Sequence, residues 1–158
     1  MKLRTFNTND YNLLIRWIDS EKLNYQWGGP SFDFPLDIIQ IDKHCAQAAV
    51  IPFIFVVEDS EAGYVELVKV SDESFRICRV FLSNHVRGQG IAKIMLKQLM
   101  ALAKEQLQAK VLSLAVFKTN TVAKCCYESL GFVVTSHEIV TPSWDGEKWD
   151  LLIMEKSI

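Results

Sequence analysis

Between Val80 and Ala92 the chain reads Val-Phe-Leu-Ser-Asn-His-Val-Arg-Gly-Gln-Gly-Ile-Ala, an apolar strand-type segment that turns through glycines into a helix-forming one. Such a junction holds an anion by main chain. Glycine lets several N–H groups turn toward one point, and the helix that follows adds the positive end of its dipole. Val80, Phe81 and Leu82 stand on the strand side, Arg87, Gly88, Gln89 and Gly90 in the loop, and Ile91 and Ala92 at the helix start. The expected ligand carries a pyrophosphate. Two common phosphate loops are excluded. A dinucleotide fingerprint needs Gly or Ala three residues beyond its second glycine, where this chain has Lys93, and no Gly-Lys-Ser/Thr follows a four-residue spacer.

Arg87-x-x-Gly90-x-Ala92 resembles the acyl-coenzyme A pyrophosphate loop of the GNAT acetyltransferase superfamily, [QR]-x-x-G-x-[GA]. Downstream, the segment Asn120 to Phe132 is similar to that superfamily's N-x-x-A-x-x-x-Y-x-x-x-G-F block, with Asn120, Ala123, Tyr127, Gly131 and Phe132 in place. Leu14-x-x-Trp17 and Trp27-Gly28-Gly29 look like the branch that holds ribosomal-protein alanine and aminoglycoside acetyltransferases. The resemblance implies an α+β fold: a mixed, mostly antiparallel sheet of six to seven strands, splayed at the acetyl-coenzyme A site and flanked by about four helices. It also implies an acetyl-coenzyme A-dependent N-acetyltransferase that needs no metal, acting on an amine in a small molecule or at a peptide N-terminus. A homodimer is compatible with it. A non-catalytic acyl-coenzyme A sensor on the same fold is the alternative.

Acetyl transfer to an amine needs an acid for the departing thiolate, donors for the developing oxyanion and a route for the amine proton. By resemblance, Tyr127 sits near the coenzyme sulfur, and a phenol stays protonated at neutral pH and can donate. Asn120 reads as a helix cap that also contacts the coenzyme arm. The arm would lie along Val80 to Leu82 as an extra strand, with a backbone N–H near Leu82 left for the oxyanion. Arg87 would meet a phosphate. No carboxylate lies on the segment Phe75 to Leu82, where many relatives place a glutamate, so the expected base is Glu66 on the preceding strand, directly or through water. Asp33, Asp37, Asp145 and Glu147 could rim an acceptor cleft, with Trp27, Phe32, Phe34 and Trp144 as its aromatic contacts.

The elements that must position these residues fit one domain spanning 1–158. Hydrophobic residues make up 49% and charged residues 23% of the 158, enough to close a core without disulfides or metal. A net charge of −2 argues against a nucleic-acid or anionic-membrane surface. No leader-type or bilayer-length apolar run is visible, so a cytoplasmic location is expected. The four cysteines lack zinc-type spacing and are expected to be free thiols.

Patterning predicts a strand over Lys2 to Phe6 and an amphipathic helix ending near Asp19 or Ser20. A break follows at Trp27 to Pro30, then a helix from Pro35 to about Ala49. Phe53 to Glu58, Gly63 to Val70 and Phe75 to Leu82 read as an antiparallel meander. A helix from Ile91 to near Gln108, a strand Val111 to Val116, a helix Asn120 to Leu130 and a closing hairpin around Trp144-Asp145-Gly146 complete the chain.

Overall fold

Alternation of apolar residues builds a single seven-stranded sheet in the order β1-β2-β3-β4-β5-β7-β6 in the computed structural model, which describes residues 1–140, 145–146 and 148–158. The strands are β1 Lys2–Thr5, β2 Val50–Val57, β3 Ser60–Lys69, β4 Ser74–Leu82, β5 Val111–Phe117, β6 Val133–Val140 and β7 Trp149–Ser157. β2 to β4 form the predicted antiparallel meander, and β1 pairs antiparallel with the outer edge of β2. β5 lies parallel to β4 because helix α4, Ile91–Leu107, crosses over between them. The chain then returns as the β6–β7 hairpin, with β7 inserted beside β5.

Each face of the sheet carries its own core. On one, α4 sets Ile91, Met95, Leu96, Leu99 and Ala103 against Phe55, Leu67, Ile77 and Leu114, joined by Tyr127 and Leu130 of α5, Thr121–Ser129. The i, i+4 and i+3 spacing of those α4 residues makes this face continuous. On the other, α1 Tyr11–Trp17, α2 Glu21–Gly28 and α3 Ile38–Cys45 cover Ile54, Val56, Tyr64 and Phe81.

Among the described residues, five α-helices stand where about four were expected, and the extra one is α2. Ser20, read as the end of α1, is the cap of a new helix: its Oγ accepts from the Leu23 N–H at 3.2 Å. Gly29 and Pro30 stop α2 only after Tyr25 and Trp27 have been buried. α3 is shorter than the predicted 35–49, since Asp37 is its cap and the β-branched run from Val50 is claimed by β2. Part of the predicted turn around Trp144 lies outside the described residues; Asp145 and Gly146 are a turn and a bend ahead of β7. Among the described residues, no helix is long and apolar enough to cross a membrane.

Candidate active site

The phosphate-type junction is formed as its sequence dictates. After β4, a short 3-10 turn at Asn84–Val86 leads through Gly88 and Gly90 into α4. Both glycines have left-handed φ, +76° and +74°, a conformation in which any Cβ is strained. No heavy atom lies within 4 Å of where a Cβ would stand at either position, so the space above them is open. Gly90 caps α4 without a side chain, which leaves the helix's first N–H groups available. The N–H groups of Gly88, Gln89 and Gly90 also have no backbone acceptor of normal geometry among the described residues. Arg87 lies back along the strand end. Its Nε–H donates to the Leu82 carbonyl at 2.7 Å, and its guanidinium carbon is 5.4 Å from the centre of the Phe81 ring.

Next to this loop the sheet opens. β4 and β5 pair only from Ser74 and Val111 to Ile77 and Leu114, after which β4 stays with β3 and β5 with β7. The divergence begins at a bulge. Arg79 has φ +53°, and the β3–β4 register steps from Glu66 opposite Cys78 to Tyr64 opposite Phe81. From α2, the Trp27 indole N–H donates to the Arg79 carbonyl at 2.9 Å and pins the bulge. The β4 edge from Cys78 to Leu82 therefore has no strand beside it on the β5 side.

A cleft of about 750 Å3 fills this opening. Trp27, Phe32, His44 and Arg79 line it from the α2–α3 side, Val80 and Phe117 from the diverging strands, and Asn120 and Tyr127 from α5. Asn120 caps α5, its Oδ1 accepting from the Ala123 N–H at 3.2 Å. Tyr127 is 7% exposed, with its ring edge-on to Phe132. Its hydroxyl has no hydrogen-bond partner among the described residues. Burial pushes the phenol well above its ordinary value, so it carries its proton throughout the neutral range.

Glu66 lies behind the cleft wall rather than on it. It is fully buried, and its carboxylate accepts from the Tyr64 hydroxyl at 2.8 Å and from an Arg79 guanidinium N–H, while His44 Nε2 lies 3.0 Å away. Burial alone would raise this carboxyl. The His44 hydrogen bond and the Arg79 charge outweigh burial and hold it below its ordinary value. Arg79 also stacks its guanidinium 5.1 Å from the centre of the Phe32 ring.

A splayed parallel pair with an unpartnered phenol in the cleft between its strands, and a glycine-turned helix start that follows β4 outside the residues lining that cleft, match what a known family provides. The model of the Acetyltransferase (GNAT) family matches residues 14–132, most of the chain. The chain belongs to the GNAT acetyltransferase family. Solved structures agree in fold. Spermidine N-acetyltransferase from Vibrio cholerae, in complex with CoA and spermine, superposes with a TM-score of 0.85 at 19% identity, covering 99% of this chain and 94% of its own. Ribosomal-protein-alanine N-acetyltransferase from Brucella melitensis gives 0.78 at 18% identity, with full coverage of both chains.

As a GNAT acetyltransferase the protein takes its acetyl group from acetyl-coenzyme A. The residues fit that ligand: an unpaired β4 edge offers main-chain partners to an amide-bearing arm, and the open glycine turn offers N–H groups to its diphosphate. Of the other predicted cleft residues, Asp33, Trp27 and Phe32 line it. Asp37 instead caps α3, and Phe34 borders a smaller depression beside the α2–α3 loop. Trp144 and Glu147 lie outside the described residues.

Sequence reading missed His44, Arg76 and Arg79 in this GNAT cleft. Arg79 had a visible signal, since two arginines three apart in Phe-Arg-Ile-Cys-Arg-Val-Phe break strict strand alternation. His44 had none, because one helical histidine carries no mark of the strand it will face.

Proposed function

We propose that this acetyltransferase moves the acetyl group directly from acetyl-coenzyme A to the nitrogen of an amine, with both substrates bound at once and no acyl-enzyme. The observation that carries this reading is the unpaired Tyr127 hydroxyl on the wall of a cleft that passes between β4 and β5. The coenzyme supplies an activated thioester; the chain supplies position, charge and protons. Gly88 to Ala92 hold the diphosphate by main chain with Arg87 beside them, and Asn120 flanks the arm. An edge N–H between Val80 and Leu82 faces the thioester oxygen, and Tyr127 holds a proton at Oη for the departing sulfur.

Glu66 acts at one remove from the amine. It holds His44 through Nε2, which leaves Nδ1, beside the exposed Gln47 amide, as the nitrogen able to accept a proton through water. Two of the four cysteines are held back as nucleophiles. Burial pushes the Cys78 and Cys126 thiols above their ordinary value, away from the thiolate form.

Thiol release from acetyl-coenzyme A in the presence of a panel of primary amines, with the acetylated amine identified by mass, tests the reaction. Amine-dependent release is expected, with the intact mass of the protein unchanged by acetyl-coenzyme A alone. A stable acetylated protein that then passes its acetyl group on would contradict direct transfer.

A further inference from the structure

The cleft wall beneath α3 is cationic although the molecule is not. Lys43 from α3 and Arg76 and Arg79 from β4 line it beside His44, and Asp33 is the single carboxylate on the wall among the described residues. Glu66, behind the wall, neutralises Arg79. Arg76 and Lys43 have no ion-pair or hydrogen-bond partner among the described residues, in a protein whose net charge is −2. Arg79 adds one more unused donor, since its Nε is buried without an acceptor. Cations gathered in a concave, partly desolvated wall, against the overall sign of the molecule, repel a polycation and attract an anion.

The strand sets the spacing. Arg76 lies four residues before Val80 on β4, at a rise of roughly 3.3 Å per residue, so its backbone stands roughly 10–13 Å from the edge where transfer is proposed. Val68, opposite Arg76 in the β3–β4 register, and Val50, opposite Val68, line the cleft near it and leave the guanidinium fork as a strong polar feature there. Guanidinium matches a carboxylate or phosphate with paired hydrogen bonds.

Resting on the transfer reading above, we infer that the acceptor is an amine carrying an oxyanion several bonds away, which Arg76 holds with Lys43 while the amine reaches the β4 edge. A polyamine such as spermidine is the wrong class for this wall.

The test is calorimetric binding to the coenzyme A-loaded protein of four probes: ε-aminocaproate, its carboxamide, an aminoalkyl phosphate of similar length, and spermidine. The carboxylate or the phosphate should bind roughly tenfold or more tightly than the carboxamide, and their relative strength identifies which oxyanion is preferred. Arg76→Gln should bring that ratio close to one, and Lys43→Gln should reduce it. Arg76 has no ion-pair or hydrogen-bond partner among the described residues, so an unchanged melting temperature verifies that the variant is intact. Equal binding of carboxylate and carboxamide, tighter binding of spermidine, or an unchanged ratio in Arg76→Gln would overturn the inference. Because binding needs no turnover, anion preference without thiol release would overturn the transfer reading alone.

Discussion

Tyr127 and Glu66 are both buried hydrogen-bonding side chains in contact with the same region, yet the fold treats them oppositely. The Tyr127 hydroxyl bonds to nothing described, so it contributes little to stability and is free to serve a ligand. Tyr127→Phe is therefore expected to leave the melting temperature nearly unchanged while lowering kcat about 100-fold, with coenzyme affinity kept. Equal loss of stability and activity would mark the phenol as a packing residue.

Glu66 is held by Tyr64, His44 and Arg79, and removing its charge strands the Arg79 guanidinium in a buried wall. Glu66→Gln should cost about 3–5 kcal/mol by urea denaturation, because breaking one side of a buried pair leaves the other uncompensated. We propose that Glu66 takes the amine proton through His44 and water rather than by direct contact, since Tyr64, His44 and Arg79 surround its carboxylate behind the cleft wall. From sequence, a strand glutamate and a cleft glutamate read alike, because nothing local encodes the partners that arrive from α3 and β4.

At the scale of elements, the β4–loop–α4 unit was legible because its requirements are local. Backbone N–H groups, left-handed glycines and a helix start are all specified by adjacent residues. Gly90→Val places a β-branched residue at φ +74°, with strain of about 1–2 kcal/mol, and puts a side chain into the open space above the turn. Coenzyme A binding, measured by calorimetry, should weaken about tenfold or more while the fold is retained; unchanged affinity would remove the diphosphate from this loop.

The meander and the α4 crossover were equally readable from period and length. The opening between β4 and β5 was expected from the family resemblance alone, not from period or length. It depends on a bulge at Arg79 held by the Trp27 indole from α2, a helix the sequence hid behind an Asp19-Ser20 stop that turned out to be a start. Long-range hydrogen bonds of this kind leave no periodic trace.

Taken as a whole, the molecule is a sheet with one core on each face, and the opening between β4 and β5 interrupts that sheet. The Glu66 cluster ties α3 to β3 and β4 behind that opening, so acid should act on stability through it. The folded carboxyl lies below its ordinary value of about 4.5, so its contribution is complete above that pH and is lost as pH falls through the folded value. Asp10, whose burial is outweighed by its hydrogen bonds from Arg4 and the Asn7 N–H, adds in the same direction. Urea midpoints should therefore fall steeply below about pH 4.5, and Glu66→Gln should show a lower plateau and a shallower acid slope. A slope unchanged in the variant would place the acid sensitivity elsewhere.

The most direct measurement is a crystal structure of the protein with coenzyme A bound. The account predicts diphosphate oxygens on the N–H groups of residues 88 to 92, the arm along β4 between Val80 and Leu82, and the sulfur about 3–3.5 Å from Tyr127 Oη. Coenzyme bound outside the β4–β5 opening, or a sulfur with no path to that hydroxyl, would contradict it.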